Sequence, residues 1–342
     1  MTNRIPLIFA ANDSFVPYLS VMVESVMAHG SPQFQYEIIL LHRDITKETA
    51  GLLRSQISRL KNFSLRLIDL SKEVEHYSFY TENRMFFTPE AYYRLLAPFL
   101  LPEYDKAIYI DGDMVACTDV ADLLEVELGD RLIAAVRDFC GLADAFHPGL
   151  DRRAYMQREL GLKNFEGYYI SGLLVMNLRQ FRKEFTLSQM MEFAASRQWR
   201  YHDQDILNVL TEGRTLLLDA RWNVLQDYGS HRLLPPHLYQ EWADSLKDPW
   251  IVHYGGDAKP WLYPRVPRAE YFWQYAPASP FYHEILACPK RERKENARYR
   301  LKYCIQYLLP VGSRSREAVK RWTYPVWSAL DRRLRAKAHA PH

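Results

Sequence analysis

At 342 residues the chain is long enough for one large domain or two ordinary ones, and 48% hydrophobic with 25% charged residues excludes a disordered chain. No apolar run approaches the roughly 18 residues of a membrane-spanning helix, and Cys117, Cys140, Cys288 and Cys304 form no CxxC pair, which excludes a disulfide framework or a zinc cluster. The net charge of +3 hides a division, since residues 289–342 hold 15 Lys and Arg against 4 Asp and Glu while residues 1–288 hold 29 against 37.

The chain enters a strand-like run at once, "PLIFAAN" (6–12), without the pattern of a signal peptide. A protein kept in the cytoplasm is the expectation. "VPYLSVMVESVMAH" (16–29) has helical periodicity and stops at Gly30. "YEIILLH" (36–42) and "FSLRLIDL" (63–70) read as strands, with Thr46 capping a helix between them. A helix is expected over "TPEAYYRLLAPFL" (88–100), with Pro89 near its start. "KAIYI" (106–110), "RLIAAVRD" (131–138) and "YYISGLLVMNL" (168–178) are buried strands by pattern. "DQDILNVLTEG" (203–213) is a helix opened by acids and closed by glycine. Segment 229–250 has no clear pattern. Strands and helices alternate at βαβ spacing, so the expected class is α/β, a mostly parallel mixed sheet flanked by helices.

The strand at 106–110 runs into Asp111-Gly112-Asp113. In an extended chain residues two apart face the same side, so both carboxylates meet at the carboxyl end of the strand. Ligands of open α/β sheets sit there. Two such charges repel unless a cation or a proton lies between them. Mn²⁺ fits such oxygen ligands, as does Mg²⁺, and both keep positions for substrate phosphates. "WIVHYGGDAKPW" (250–261) supplies a third ligand candidate, His253. Gly255 and Gly256 bring backbone N–H groups close to a phosphate, and Lys259 adds a point charge.

Five islands in order then identify a resemblance: "FAANDSF" (9–15), "YYRLLAPFLLPEYDKAIYIDGDMVACTDV" (92–120), "YYISGLLVMNL" (168–178), "HDQDILN" (202–208) and "HYGGDAKPW" (253–261). The chain resembles glycosyltransferase family 8 over about residues 5–265. That group has the GT-A fold and includes bacterial lipopolysaccharide galactosyl- and glucosyltransferases and, more distantly, glycogenin. The resemblance implies transfer of galactose or glucose from a UDP-sugar, with retention at the anomeric carbon, to a glycan or lipid-linked saccharide acceptor. It implies that Asp111, Asp113 and His253 hold Mn²⁺ (or Mg²⁺) on the diphosphate. Ala10 and Asn12 would touch uridine, Gly256 and Lys259 would grip the diphosphate, and Arg94, Gly112 and Asp138 would lie on the donor side. Asp203 and Gln204 would lie below the sugar as the catalytic candidates. An acid in a first helical turn is favoured by the helix dipole in any case. Retention leaves two routes, a covalent intermediate on Asp203 or Gln204 or attack from the face the nucleotide leaves. The second is favoured because an amide is a poor nucleophile.

Two departures stand out. Asn12-Asp13-Ser14 follows "FAA" where the family has other acids, and Ile170 replaces an asparagine that helps hold the sugar or the acceptor. The identity of the sugar is therefore open. The acceptor pocket is expected within 139–166 and 225–248.

Residues 1–288 are read as the transferase domain and 289–342 as a basic tail in which Tyr303, Tyr307, Trp322, Tyr324 and Trp327 alternate with Lys and Arg. Such a tail suits an anionic membrane surface. The acidic body argues against nucleic acid. The chain is therefore expected to sit peripherally on the inner face of the cell membrane. Cosedimentation with anionic vesicles at low salt, lost at high salt, is the expected result; no binding at low salt removes the idea. Two other readings are carried: a glycogenin-like initiator that glycosylates one of its own 23 tyrosines, and a catalytically weak nucleotide-sugar-binding protein.

Overall fold

β1 (Arg4–Ala10), β2 (Gln35–His42) and β3 (Phe63–Asp69) form the parallel half of a seven-stranded sheet in the computed structural model, which describes residues 4–75, 89–225, 231–256 and 258–291 with Ser315 and Ala318. β4 (Ala107–Ile110), β5 (Met114–Ala116), β6 (Ile133–Arg137), β7 (Tyr169–Met176), β8 (Thr215–Leu217), β9 (Val224–Leu225) and β10 (Ile251–His253) follow. The large sheet has the order β3-β2-β1-β4-β7-β6-β8. β4 lies parallel to β1, β7 antiparallel to β4 and β6, and β8 parallel to β6. A second sheet, β5-β10-β9, sits beside it. Every residue of β4 and β7 is buried, as continuous apolar runs demand when both faces of a sheet are covered. The mixed α/β class expected from the sequence is the one found.

The helices are α1 (Val16–His29), α2 (Lys47–Ile57), α3 (Ala97–Leu100), α4 (Phe139–Ala145), α5 (Arg152–Ala154) and α6 (Leu178–Glu184). α7 (Leu187–Ala195), α8 (His202–Leu210), α9 (Pro236–Ser245), α10 (Ala269–Tyr275) and α11 (Tyr282–Arg291) complete them. α1 buries eleven of its residues, and its Ser25 hydroxyl accepts from the Ala116 N–H at 2.9 Å, tying the helix to β5. Gly30 follows it in an extended conformation, and a Cβ there would lie 2.6 Å from the Phe63 ring, so the position takes glycine. Thr46 caps α2, its hydroxyl accepting from Thr49 N–H at 3.2 Å.

Two expectations change. The segment 88–100 is not one α-helix but a 3₁₀ stretch, Pro89–Leu95, followed by α3. Pro98 has no N–H to give the Arg94 carbonyl, so an α ladder cannot run through. Segment 229–250, which showed no pattern, contains α9, entered on consecutive prolines with Pro236 at its first position.

No helix among the described residues is long and apolar enough to cross a membrane. α11 runs to Arg291, past the boundary drawn at 288. Apart from α11, Ser315 and Ala318, the basic tail and its membrane role lie outside the described residues.

Candidate active site

Asp111, Gly112 and Asp113 form the link from β4 to β5. The backbone on both sides is fixed: Asp111 N–H donates to the Gly172 carbonyl at 2.8 Å, and Tyr254 N–H to the Asp113 carbonyl at 2.9 Å. The first bond continues the β4–β7 pairing, and the second brings the end of β10 across. Both carboxylates and His253 thereby meet, with one ligand atom from each lying within 4.8 Å of the others. Gly112 is needed for packing, since a Cβ would lie 3.1–3.3 Å from Phe15 and Leu19 of the first helical segment.

His253 is 4% exposed. Its Nδ1 lies 2.9 Å from Asn223 Oδ1, an acceptor, which assigns the ring proton to Nδ1. Nε2 then presents a lone pair 3.4 Å from Asp113 Oδ1. Two acceptors facing each other with Asp111 alongside are a donor set that a divalent cation satisfies. Gly172 leaves room beside that set, because a Cβ there would come within 2.7 Å of His253 Cε1 and 2.9 Å of Asp111 Oδ2. The residues present fit such an ion.

The electrostatics divide the pair. Burial raises the Asp111 carboxyl; Arg94 opposes this and Asp113 adds to it, leaving it above the usual range. Burial also pushes Asp113 upward, but the Lys259 ammonium outweighs it and holds that carboxyl well below the usual range. Lys259, 3% exposed, donates to Asp113 and to the Tyr254 carbonyl at 2.7 Å.

Arg94 is the second hub. It donates to Asp111 at 2.9 Å, to the Ser171 carbonyl at 2.5 Å and to the Ala91 carbonyl at 2.9 Å. Its Nε also pairs with Asp203 at 3.1 Å, and its guanidinium covers the Tyr109 ring at 4.2 Å. Burial works against the charge on this guanidinium, but Asp111 and Asp203 outweigh it and hold its pKa above the usual arginine value. Asp203, at the start of α8, is buried and raised for the same reason, with Arg94 opposing. His202 before it has φ 47°, a left-handed conformation uncommon outside glycine, and this sets the entry of α8.

Gln204 joins this region to Asp138. Its Nε2 donates to Asp138 Oδ2 at 2.9 Å and its Oε1 accepts from Ser171 N–H at 3.3 Å. Asp138 also caps α4, accepting from Gly141 N–H at 2.9 Å.

A cleft of about 160 Å³ runs between these groups and β1. Ala10, Asn12, Arg94, Asp111, Gly112, Asp113 and Lys259 all line it. His253, Gly256, Asp138, Asp203 and Gln204 stand outside its wall. Asn12 is partly committed, its Oδ1 accepting from Phe15 N–H at 3.1 Å and Ser14 Oγ at 2.9 Å. Gly256 has φ 73°, so the turn after His253 uses its freedom. Ile170 is 8% exposed and apolar.

Sequence reasoning missed Asn223, Tyr109 and Glu90. Tyr109 and Glu90 line the cleft, and Tyr109 sits in the quoted strand, where its alternation with Asp111 was the available signal. No local signal marks Asn223, which meets His253 from thirty residues away.

The model of Glycosyl transferase family 8 matches residues 6–264. The chain is 26% identical over 274 residues to glycosyltransferase GlyF of Streptococcus pneumoniae, covering 79% of this chain and 60% of GlyF. It is 26% identical over 183 residues to the lipopolysaccharide 1,2-glucosyltransferase of Escherichia coli K12, covering 51% of each. Among solved structures, the WbbM bifunctional glycosyltransferase superposes with a TM-score of 0.76 at 26% identity, over 83% of this chain and 51% of that one. The galactosyltransferase LgtC, solved with donor and acceptor sugar analogs, superposes at 0.65 and 22% identity, over 81% and 96%, and speaks for the fold. The chain thus spans about 60% of GlyF and about half of WbbM.

Proposed function

Because the chain belongs to glycosyl transferase family 8, we propose that it moves a hexose, galactose or glucose, from a UDP-sugar to a glycan acceptor such as a lipopolysaccharide core. The reading includes a divalent cation, Mn²⁺ before Mg²⁺, and retention at the anomeric carbon. The observation that carries it is the convergence of Asp111, Asp113 and His253 on one point at the edge of the cleft.

Asp111, Asp113 and His253 would hold the cation, and a nitrogen ligand favours Mn²⁺ over Mg²⁺. When bound, such an ion supplies charge stabilisation on the departing diphosphate. The chain's own contribution is fixed charge. Lys259 stands at Asp113 beside that charge, and Arg94 binds the wall opposite through Asp111 and Asp203. The positive charge that develops on the sugar would face Gln204 and Asp203.

Attack on the same face that the nucleotide leaves is the better supported route. Asp203 is ion-paired to Arg94, and both ends of the Gln204 amide are already bonded, which supports that route. Ile170 offers the sugar no hydrogen bond, so donor choice rests on the remaining polar groups.

Calorimetric titration with UDP-galactose and UDP-glucose, in Mn²⁺ and in EDTA, tests the reading. Binding of one of them in Mn²⁺ and its loss in EDTA is the expected result. Absence of binding for both in Mn²⁺ overturns it.

A further inference from the structure

Arg152 opens α5 within the segment 139–166 and is 1% exposed. Its Nε, Nη1 and Nη2 make no hydrogen bond among the described residues. A buried guanidinium with unmet donors is among the costliest arrangements a fold can hold. Three rings offset part of that cost, its Cζ lying 3.6 Å over Tyr201, 4.7 Å over Tyr168 and 5.6 Å over Tyr155. A cage of rings would accept an apolar side chain as readily, so the rings alone do not account for a charge.

Three carboxylates feel that charge: Asp138, Asp144 and Asp205. Asp205 does not need it, since it already accepts from Tyr155 and Tyr168 hydroxyls at 2.5 and 2.6 Å and from Tyr201 N–H at 2.7 Å. Asp144 is only half-buried and reaches solvent. Asp138 remains, 7% exposed, with bonds from Gly141 N–H and Gln204 against the three at Asp205. Gly141 shows how the two are related. A Cβ there would collide with Asp138 Oδ2 and lie 3.0 Å from its Cγ and 3.4 Å from Arg152 Nη2. Both groups border the space that the missing side chain leaves, and no hydrogen bond or ion pair closes the gap between them.

We infer that Arg152 is a positioning residue, a buried cation that holds the Asp138 carboxylate in the orientation that fixes the Gln204 amide in the active site. The inference rests on the proposed transferase site. Asp138 Oδ2 anchors Nε2 of Gln204, and the Ser171 N–H then anchors its Oε1. Without the cation the carboxylate is fixed at Oδ1 by the Gly141 N–H, and the hold on Oδ2, which anchors the amide, weakens. Arg152 is absent from the wall of the cleft beneath β1, so nucleotide binding should not sense it.

The experiment measures kcat and donor KM for transfer, with thermal unfolding, for Arg152→Met, Arg152→Lys, Gly141→Ala and Asp138→Asn. Arg152→Met should lower kcat about tenfold or more with donor KM changed less than about twofold. Arg152→Lys should recover part of the loss, because it keeps the charge while losing the stack. Gly141→Ala presses on Asp138 with the cation in place and should also lower kcat. A folded Arg152→Met enzyme with unchanged kcat, beside an impaired Asp138→Asn, overturns the inference and leaves the site reading standing. An unimpaired Asp138→Asn instead overturns the site reading beneath it. If Arg152→Met does not fold, Arg152→Gln decides: a lowered kcat at constant donor KM supports the role, and an unchanged kcat overturns it.

Discussion

Asp113→Ala should reduce transfer by about a thousandfold or more while the protein stays folded. The side chain does three things at one point. It receives the Lys259 ammonium, it faces His253 Nε2 at 3.4 Å, and it shares the ligand cluster with Asp111. The fold does not rest on it, because the bond that joins this turn to the end of β10 comes from the residue 113 backbone carbonyl. Asp111 is the less clean test, since it also carries Arg94 and the Tyr109 hydroxyl at 3.1 Å, and its loss would loosen the wall of the cleft. Turnover, thermal unfolding and Mn²⁺ titration on the same sample separate the cases. A folded Asp113→Ala protein with near-normal turnover would mean that no metal at this point takes part in the reaction.

Much of this was legible because the relevant signals are local. The strands declared themselves as apolar runs, and β4 ran straight into Asp111, but Gly112 and Asp113 lie in a turn, so the two carboxylates meet through that turn and not by strand alternation. α1 ended at Gly30 as expected, and the glycine there is required by the space against Phe63 rather than by backbone freedom. The failures are also physical. The stretch after Pro89 looked helical by composition, but the missing N–H of Pro98 left only 3₁₀ turns before it. α9 was hidden by the prolines that begin it. Asn223 and Arg152 carry no sequence signal at all. Asn223 matters through His253, thirty residues along the chain, and Arg152 through Asp138 across the space at Gly141, where α5 packs on α4, and no local pattern marks either pairing.

Gly172→Ala should damage the site from behind. Gly172 lies in β7, opposite the β4 turn, and its carbonyl accepts from the Asp111 N–H. A single added methyl would lie 2.7 Å from His253 Cε1, 2.7 Å from Met114 Cε and 2.9 Å from Asp111 Oδ2. Met114 is flexible and can yield. His253 is held by Asn223, and Asp111 by Arg94 and Tyr109, so these two must be pushed apart or the strand must move. The expected cost is about 1–3 kcal/mol in stability from overpacking. The larger effect is on function, because a displacement approaching 1 Å at two of the three ligands should lower turnover by about a hundredfold or more. Gly51→Ala on the exposed face of α2 is the control. A Cβ there meets nothing within 4 Å, and stability should rise by about 0.5 kcal/mol with turnover unchanged. The diagnostic measurement is Mn²⁺ affinity by calorimetry on folded Gly172→Ala protein. Weakened binding ties the glycine to the ligand cluster. Wild-type affinity, with turnover also retained, would show that the ion is held somewhere other than between Asp111 and His253.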